Sequence, residues 1–211
     1  YLGRQEQPLR RAVAIKVVRT GGLDHEGLAR FAAERHAMAR MEHAAIARVY
    51  DAGTTDDGLP YFAMELVDGV PITEYCVRNG LPLDARLALF RVVCQAVHHA
   101  HQRGVIHRDL KPSNILVVQE DGRPAPKIID FGIAKAIDGM LADEGVHTRT
   151  GSVVGTVEYM SPEQIRGSDT GVDVRADVYA LGVTLYELVA GRHPYTDTTL
   201  RRAGLLEAQR I

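Results

Sequence analysis

Eight residues near the middle of the chain, His107-Arg108-Asp109-Leu110-Lys111-Pro112-Ser113-Asn114, constrain it more than any other segment. Helical spacing runs up to them: Leu87, Phe90, Cys94, Val97 and His101 share one helix face, and Gly104 stands where a helix C′ residue belongs. A β-branched run, Ile115 to Val118, follows them and reads as a strand. The charged segment is therefore a loop held at both ends by apolar elements. A second strand, Lys127 to Ile129, leads directly into Asp130-Phe131-Gly132. Five specified residues at fixed spacing (His-Arg-Asp-x-Lys-x-x-Asn) arise by chance on the order of once in 10⁴ chains of this length. A carboxylate, a lysine, an amide and a second carboxylate are the groups needed to move a phosphoryl group held on Mg²⁺.

The run from His107 to Asn114 resembles the catalytic loop of protein kinases, and Asp130-Phe131-Gly132 is similar to their metal-binding motif. The rest of the pattern is compatible with that likeness. Val13 to Val18 reads as a strand, Asp24 to about Met41 as a helix, and Ile46 to Ala52 and Tyr61 to Val67 as a hairpin with a long loop. After Asp68-Gly69 the spacing is mostly helical, and Asp177 to Ala190 is apolar around most of its circumference, which predicts a buried helix. The expected fold class is α+β, a two-lobed kinase-like fold. Residues 1–67 form a small β-rich lobe and hinge, and 68–211 a larger, mostly helical lobe.

Composition narrows the function classes. With 211 residues, 45% of them hydrophobic and 25% charged, the chain has the make-up of a soluble globular protein. A net charge of −2 gives no reason to expect a nucleic-acid partner. No apolar run approaches the ~20 residues of a membrane span. The two cysteines, Cys76 and Cys94, fit no metal spacing and point to a reducing compartment. The domain is expected in the cytoplasm. His98 and His101 share a helix face, but nothing nearby completes four metal ligands, so packing and surface roles are expected.

The kinase likeness assigns roles residue by residue. Lys16, a charge on an apolar strand, implies a contact with the α- and β-phosphates of ATP and an ion pair with Glu34 on the following helix. Asp109 is the expected catalytic base, contributing more alignment than proton abstraction because an ordinary aspartate is a weak base near neutral pH. Lys111 offsets charge on the transferring phosphoryl oxygens, and Asn114 and Asp130 offer hard oxygens to Mg²⁺, with Mn²⁺ as an alternative. Met64 is expected to guard the adenine pocket, Glu65 and Val67 to bond the base through their backbone, and Ala14 and Leu116 to sandwich the ring. Asp177 resembles the aspartate that bonds the catalytic-loop backbone, a position compatible with a helix N-cap.

Lys111, and Gly155-Thr156 ahead of Ser161-Pro162-Glu163, resemble serine/threonine rather than tyrosine kinases, with Thr156 implied to bond Asp109 and Lys111. Ser161-Pro162-Glu163 stands where the family usually has Ala-Pro-Glu, and Gln164 after it resembles bacterial members. The implied partner is a protein with a Ser or Thr hydroxyl, and self-association would serve autophosphorylation. Arg108 beside Asp109 points to regulation, with Thr148 or Thr150 phosphorylated and docked on it. Gly3 cannot supply the family's Gly-rich loop, so the reading is of a domain fragment without that loop or the last helices, with weak or no ATP affinity. Two competitors are a pseudokinase scaffold and a small-molecule phosphotransferase. Retention of Lys16, Asp109, Asn114 and Asp130 argues against the first, and the Gly-Thr…Ser-Pro-Glu segment against the second.

Overall fold

The computed structural model describes residues 1–6, 10–17, 41–131, 157–166 and 172–195. Two antiparallel sheets and four helices organise them. The first sheet has the order β1-β2-β4-β3, from β1 (Leu2–Gln5), β2 (Arg11–Val17), β3 (Val49–Thr54) and β4 (Pro60–Glu65). On β2, Lys16 pairs in register with Phe62, a fully buried core residue on β4. The β3–β4 loop closes on Thr55, whose N–H donates to Leu59 O and whose Oγ1 accepts from Leu59 N–H, with Gly58 at φ +79°. The helix expected over 24–41 falls almost wholly outside the described residues.

The second sheet, β5-β6-β7, lies under the catalytic loop. It consists of β5 (Val70–Pro71), β6 (Ile115–Glu120) and β7 (Arg123–Ile128). Asp121 and Gly122, both at positive φ (50° and 74°), make the two-residue turn that joins β6 to β7. Pro124 and Pro126 lack an N–H, and β7 tolerates them because it is an edge strand. Its C-terminal end is tied back to the segment after Met41: Ile128 N–H donates to Ala45 O, and Ala47 N–H to Ile128 O, both at 2.8 Å.

Four helices complete the described fold: α1 (Ile72–Arg78), α2 (Leu83–His101), α3 (Pro162–Arg166) and α4 (Val174–Ala190). Helix α2 buries Leu89, Phe90, Val93, Ala96, Val97 and Ala100, a face rotated from the expected one, so that Leu87 is exposed. Helix α4 also departs from expectation. It buries Ala176, Asp177, Ala180, Val183, Thr184 and Leu188, while Val178, Tyr186 and Val189 stay exposed on the opposite side. It is capped by Asp173, whose side chain accepts from Arg175 N–H, and it stops at Gly191 with φ +69°. Asp177 is thus one turn inside the helix rather than its cap. The main core joins both helices to the second sheet through Ile72, Leu110, Ile115, Ile128 and Phe131.

Candidate active site

The catalytic loop is built on buried polar groups. Gly104, at φ +73°, turns the chain out of α2 and into Val105 and His107, both buried. His107 is fully buried, and two bonds set its tautomer: Nε2–H donates to Ile129 O (3.0 Å), and Nδ1 accepts from Asp109 N–H (3.3 Å). Burial pushes its pKa below the ordinary histidine value, so the ring is neutral. Phe131 packs against it edge-on, with ring centroids 4.8 Å apart.

Asp177 reaches the loop from α4. Its Oδ2 accepts from His107 N–H (2.8 Å) and His101 Nε2–H (2.7 Å), and its Oδ1 accepts from Arg108 N–H (2.8 Å). Burial pushes this carboxyl up, but the bonds from His101, His107 and Arg108 outweigh burial and hold its pKa below the usual value. The resemblance to the aspartate that bonds the loop backbone holds in geometry. The packing role expected of His101 did not name a partner, because that partner, Asp177, lies 76 residues away in sequence. Among the described residues no cluster of three or more His, Cys, Asp or Glu side chains is arranged for a metal.

Asp109 is half-exposed where Asp177 is buried. Lys111 Nζ donates to both its oxygens (3.1 and 2.9 Å). Asn114 ends the short 3₁₀ turn Pro112–Asn114, and its Nδ2 donates to Asp109 O (2.7 Å) and Oδ2 (3.3 Å). That leaves the amide oxygen of Asn114 uncommitted to Asp109. The backbone carbonyl of Asn114 accepts from Ile129 N–H (2.9 Å), placing the amide one hydrogen bond from the chain entering Asp130. Asp130 has φ 60°, in the left-handed region, and its Oδ2 accepts from Lys16 Nζ at 2.9 Å.

Lys16 and Asp130 line a cleft of about 320 Å³ together with Tyr1, Ala14, Ile15, Val17 and Met64. Ala14 and Met64 of the expected adenine pocket are therefore neighbours of the two charged residues. Leu116 is not in that lining. It sits on β6 opposite Lys127, against the backbone at Gly69. Glu65 ends β4 with its N–H donated to Arg48 O (2.8 Å) and its carboxylate paired with Lys127, and Val67 lies in the coil beyond. The Glu65–Lys127 pair was not anticipated, because 62 residues separate its members. Glu34, Thr148, Thr150 and Thr156 lie outside the described residues. Arg108 is half-buried, and its Nε is buried and has no hydrogen-bond partner among the described residues.

The donor set fits a hard divalent cation: an amide oxygen with no hydrogen bond among the described residues and a carboxylate on adjoining segments, beside a lysine. It also fits phosphate, through Lys16 and Lys111.

Residues 4–210 match the model of the protein kinase domain, and the chain belongs to that family. It is 43% identical over 194 residues to the serine/threonine-protein kinase PknB of Mycolicibacterium smegmatis, covering 89% of this chain and 29% of that protein. It is 41% identical over 202 residues to Pkn1 of Myxococcus xanthus (95% and 28%), and 40% identical over 190 residues to PrkC of Bacillus subtilis (89% and 28%), both also serine/threonine-protein kinases. These bacterial relatives mark it as a stretch of Hanks-type kinase domain, with an antiparallel-sheet lobe and a helical lobe. The chain spans under a third of their length. Among the described residues no helix is long and apolar enough to cross a membrane.

Proposed function

We propose that the protein containing this chain transfers the γ-phosphoryl group of ATP to a Ser or Thr hydroxyl of a protein. The observation that carries the reading is the single hydrogen-bonded set Asp109–Lys111–Asn114, joined through Asn114 O to the segment that leads into Asp130. Asp109 accepts and orients the hydroxyl proton of the acceptor, and holds that oxygen in line with the phosphoryl group. Lys111, already on both Asp109 oxygens, offsets charge on the transferring group. Asn114 and Asp130 would hold Mg²⁺ or Mn²⁺, which when bound would supply positive charge to offset that of the phosphate groups. Lys16 exchanges its contact with Asp130 for the α- and β-phosphates and pairs with Glu34. Ala14, Met64, Leu116 and the backbone of Glu65 and Val67 take the adenine. Thr156 bonds Asp109 and Lys111 in the same arrangement. Use of ATP places the reaction in the cytoplasm.

The unpartnered Nε of Arg108 supports a regulatory reading of the same loop: a phosphate on Thr148 or Thr150, added by a second copy of the protein, docks there. Mass spectrometry of the active, ATP-treated full-length protein tests this, and finding both threonines unmodified rejects it. The main reading is tested by labelled phosphate transfer from ATP to a protein substrate, wild type against Asp109→Asn, with Mg²⁺ and Mn²⁺ compared. Undiminished transfer by the variant rejects Asp109 as the central group. Nucleotide binding without any transfer by the wild type favours a scaffold instead.

A further inference from the structure

Arg108 and Asp109 are joined by one peptide unit, and the geometry points to Gln164 as the residue that fixes its orientation. Arg108 lies at φ 67°, in the left-handed region that an L-residue with a full side chain rarely adopts. Such a conformation persists only when its surroundings over-determine it. The amide side of the loop is held by groups already described: Asp177 takes the N–H of His107 and of Arg108, and His107 Nδ1 takes the N–H of Asp109. The carbonyl side is held from elsewhere. Gln164, on α3, donates from Nε2 to Arg108 O at 2.6 Å. The peptide unit that carries Asp109 is thus gripped at its N–H by His107 and at its C=O by Gln164.

Gln164 is itself aimed. Its Oε1 accepts from Ser161 N–H (3.0 Å) and Ser161 Oγ–H (3.2 Å), and Ser161 is fully buried. These bonds settle which end of the amide is oxygen and which is nitrogen, so the donor end faces Arg108. The link runs 56 residues in sequence, from α3 to the backbone carbonyl of Arg108, directly before the candidate base. We infer that Gln164 is a positioning residue for phosphoryl transfer. It holds the Arg108–Asp109 peptide plane and makes the aim of the Asp109 carboxylate depend on the placement of residues 161–164. This rests on the catalytic reading of Asp109.

Glutamine is the residue the geometry requires. Leucine has similar volume but neither donates nor accepts. Glutamate keeps the acceptor for Ser161 but sets a carboxylate against the Arg108 carbonyl, so it repels where glutamine bonds. A packing role alone would not order the variants glutamine, leucine, glutamate.

The test uses the full-length protein, as wild type, Gln164→Leu, Gln164→Glu and Asp109→Asn, assayed for transfer from ATP and for ATP binding. Gln164→Leu is expected to lower kcat at least tenfold and Gln164→Glu further, with the KM for ATP and the ATP affinity within twofold of wild type. Hydrogen exchange at the amides of residues 107–109 is expected to quicken in both Gln164 variants, while that of residues 93–100 on α2 stays unchanged. A kcat within twofold of wild type, or unchanged exchange at 107–109, overturns the role of Gln164 and leaves that of Asp109 standing. If Gln164→Leu simply unfolds, exchange rises on α2 as well, which makes the residue structural and also overturns the proposal. A wild type that transfers nothing, or undiminished transfer by Asp109→Asn, overturns the catalytic reading and the role of Gln164 with it.

Discussion

Asp177 and Asp109 are the same residue type, and the catalytic loop lies between them in entirely different company. Asp177 is 1% exposed and bonded through both oxygens: three N–H donors reach them, and its pKa is held down. The Asp109 side chain is 34% exposed, and its bonds among the described residues come from a lysine and an amide that are themselves candidate catalytic groups. A buried carboxylate with both oxygens bonded inside the protein holds its partners in place. A half-exposed one with room for a further partner can meet a substrate. Burial and satisfaction, rather than residue identity, separate scaffold from chemistry here.

The largest effect that sharpens this contrast is on rate. In the full-length protein, Asp109→Asn should cut phosphoryl transfer by about 10² or more with little change in unfolding midpoint. Asp177→Ala should do the reverse in kind. Removing one partner of a buried, charged network costs about 3–5 kcal/mol, so denaturant titration should show a large loss of stability as well as lost activity. Equal stability loss in the two variants would break the distinction. Lys16→Met should weaken ATP binding or transfer at least tenfold while changing stability by under about 1 kcal/mol, because its pair with Asp130 is partly solvated.

The smallest effect is a pH dependence. The folded-state pKa of His107 lies below the ordinary 6.5, so in the unfolded chain it binds a proton that the native state refuses. Its contribution is fully present above 6.5 and is lost as pH falls from there toward the folded value. His107→Phe should flatten the slope of stability against pH in that window, measured by denaturant titration at several pH values. His43, whose pKa burial and the neighbouring His99 and Arg103 also lower, supplies a remaining slope of the same sign. Asp177 acts lower still: its share is present above the ordinary carboxylate range and is lost as pH falls through the depressed folded value.

Much of this was legible before any coordinates. The strand carrying Lys16 betrays itself through β-branched residues, the end of α2 through Gly104, and the end of α4 through Gly191. Asp121-Gly122 is an equally local hairpin signal. The faces of α2 and α4 were harder. Apolar spacing says that a helix has a buried side, but Leu87 and Val178 are exposed because their neighbours leave those faces uncovered.

By itself the sequence determined the family and the chemical inventory, because a catalytic loop packs its groups within eight residues and their spacing survives in one dimension. Only the tertiary structure decided which of those groups are held and by what. His101 on Asp177, Gln164 on Arg108 and Lys127 on Glu65 are contacts across 76, 56 and 62 residues. Each depends on helices and sheets docking at fixed positions, and no local pattern encodes a hydrogen bond whose partner arrives from another element.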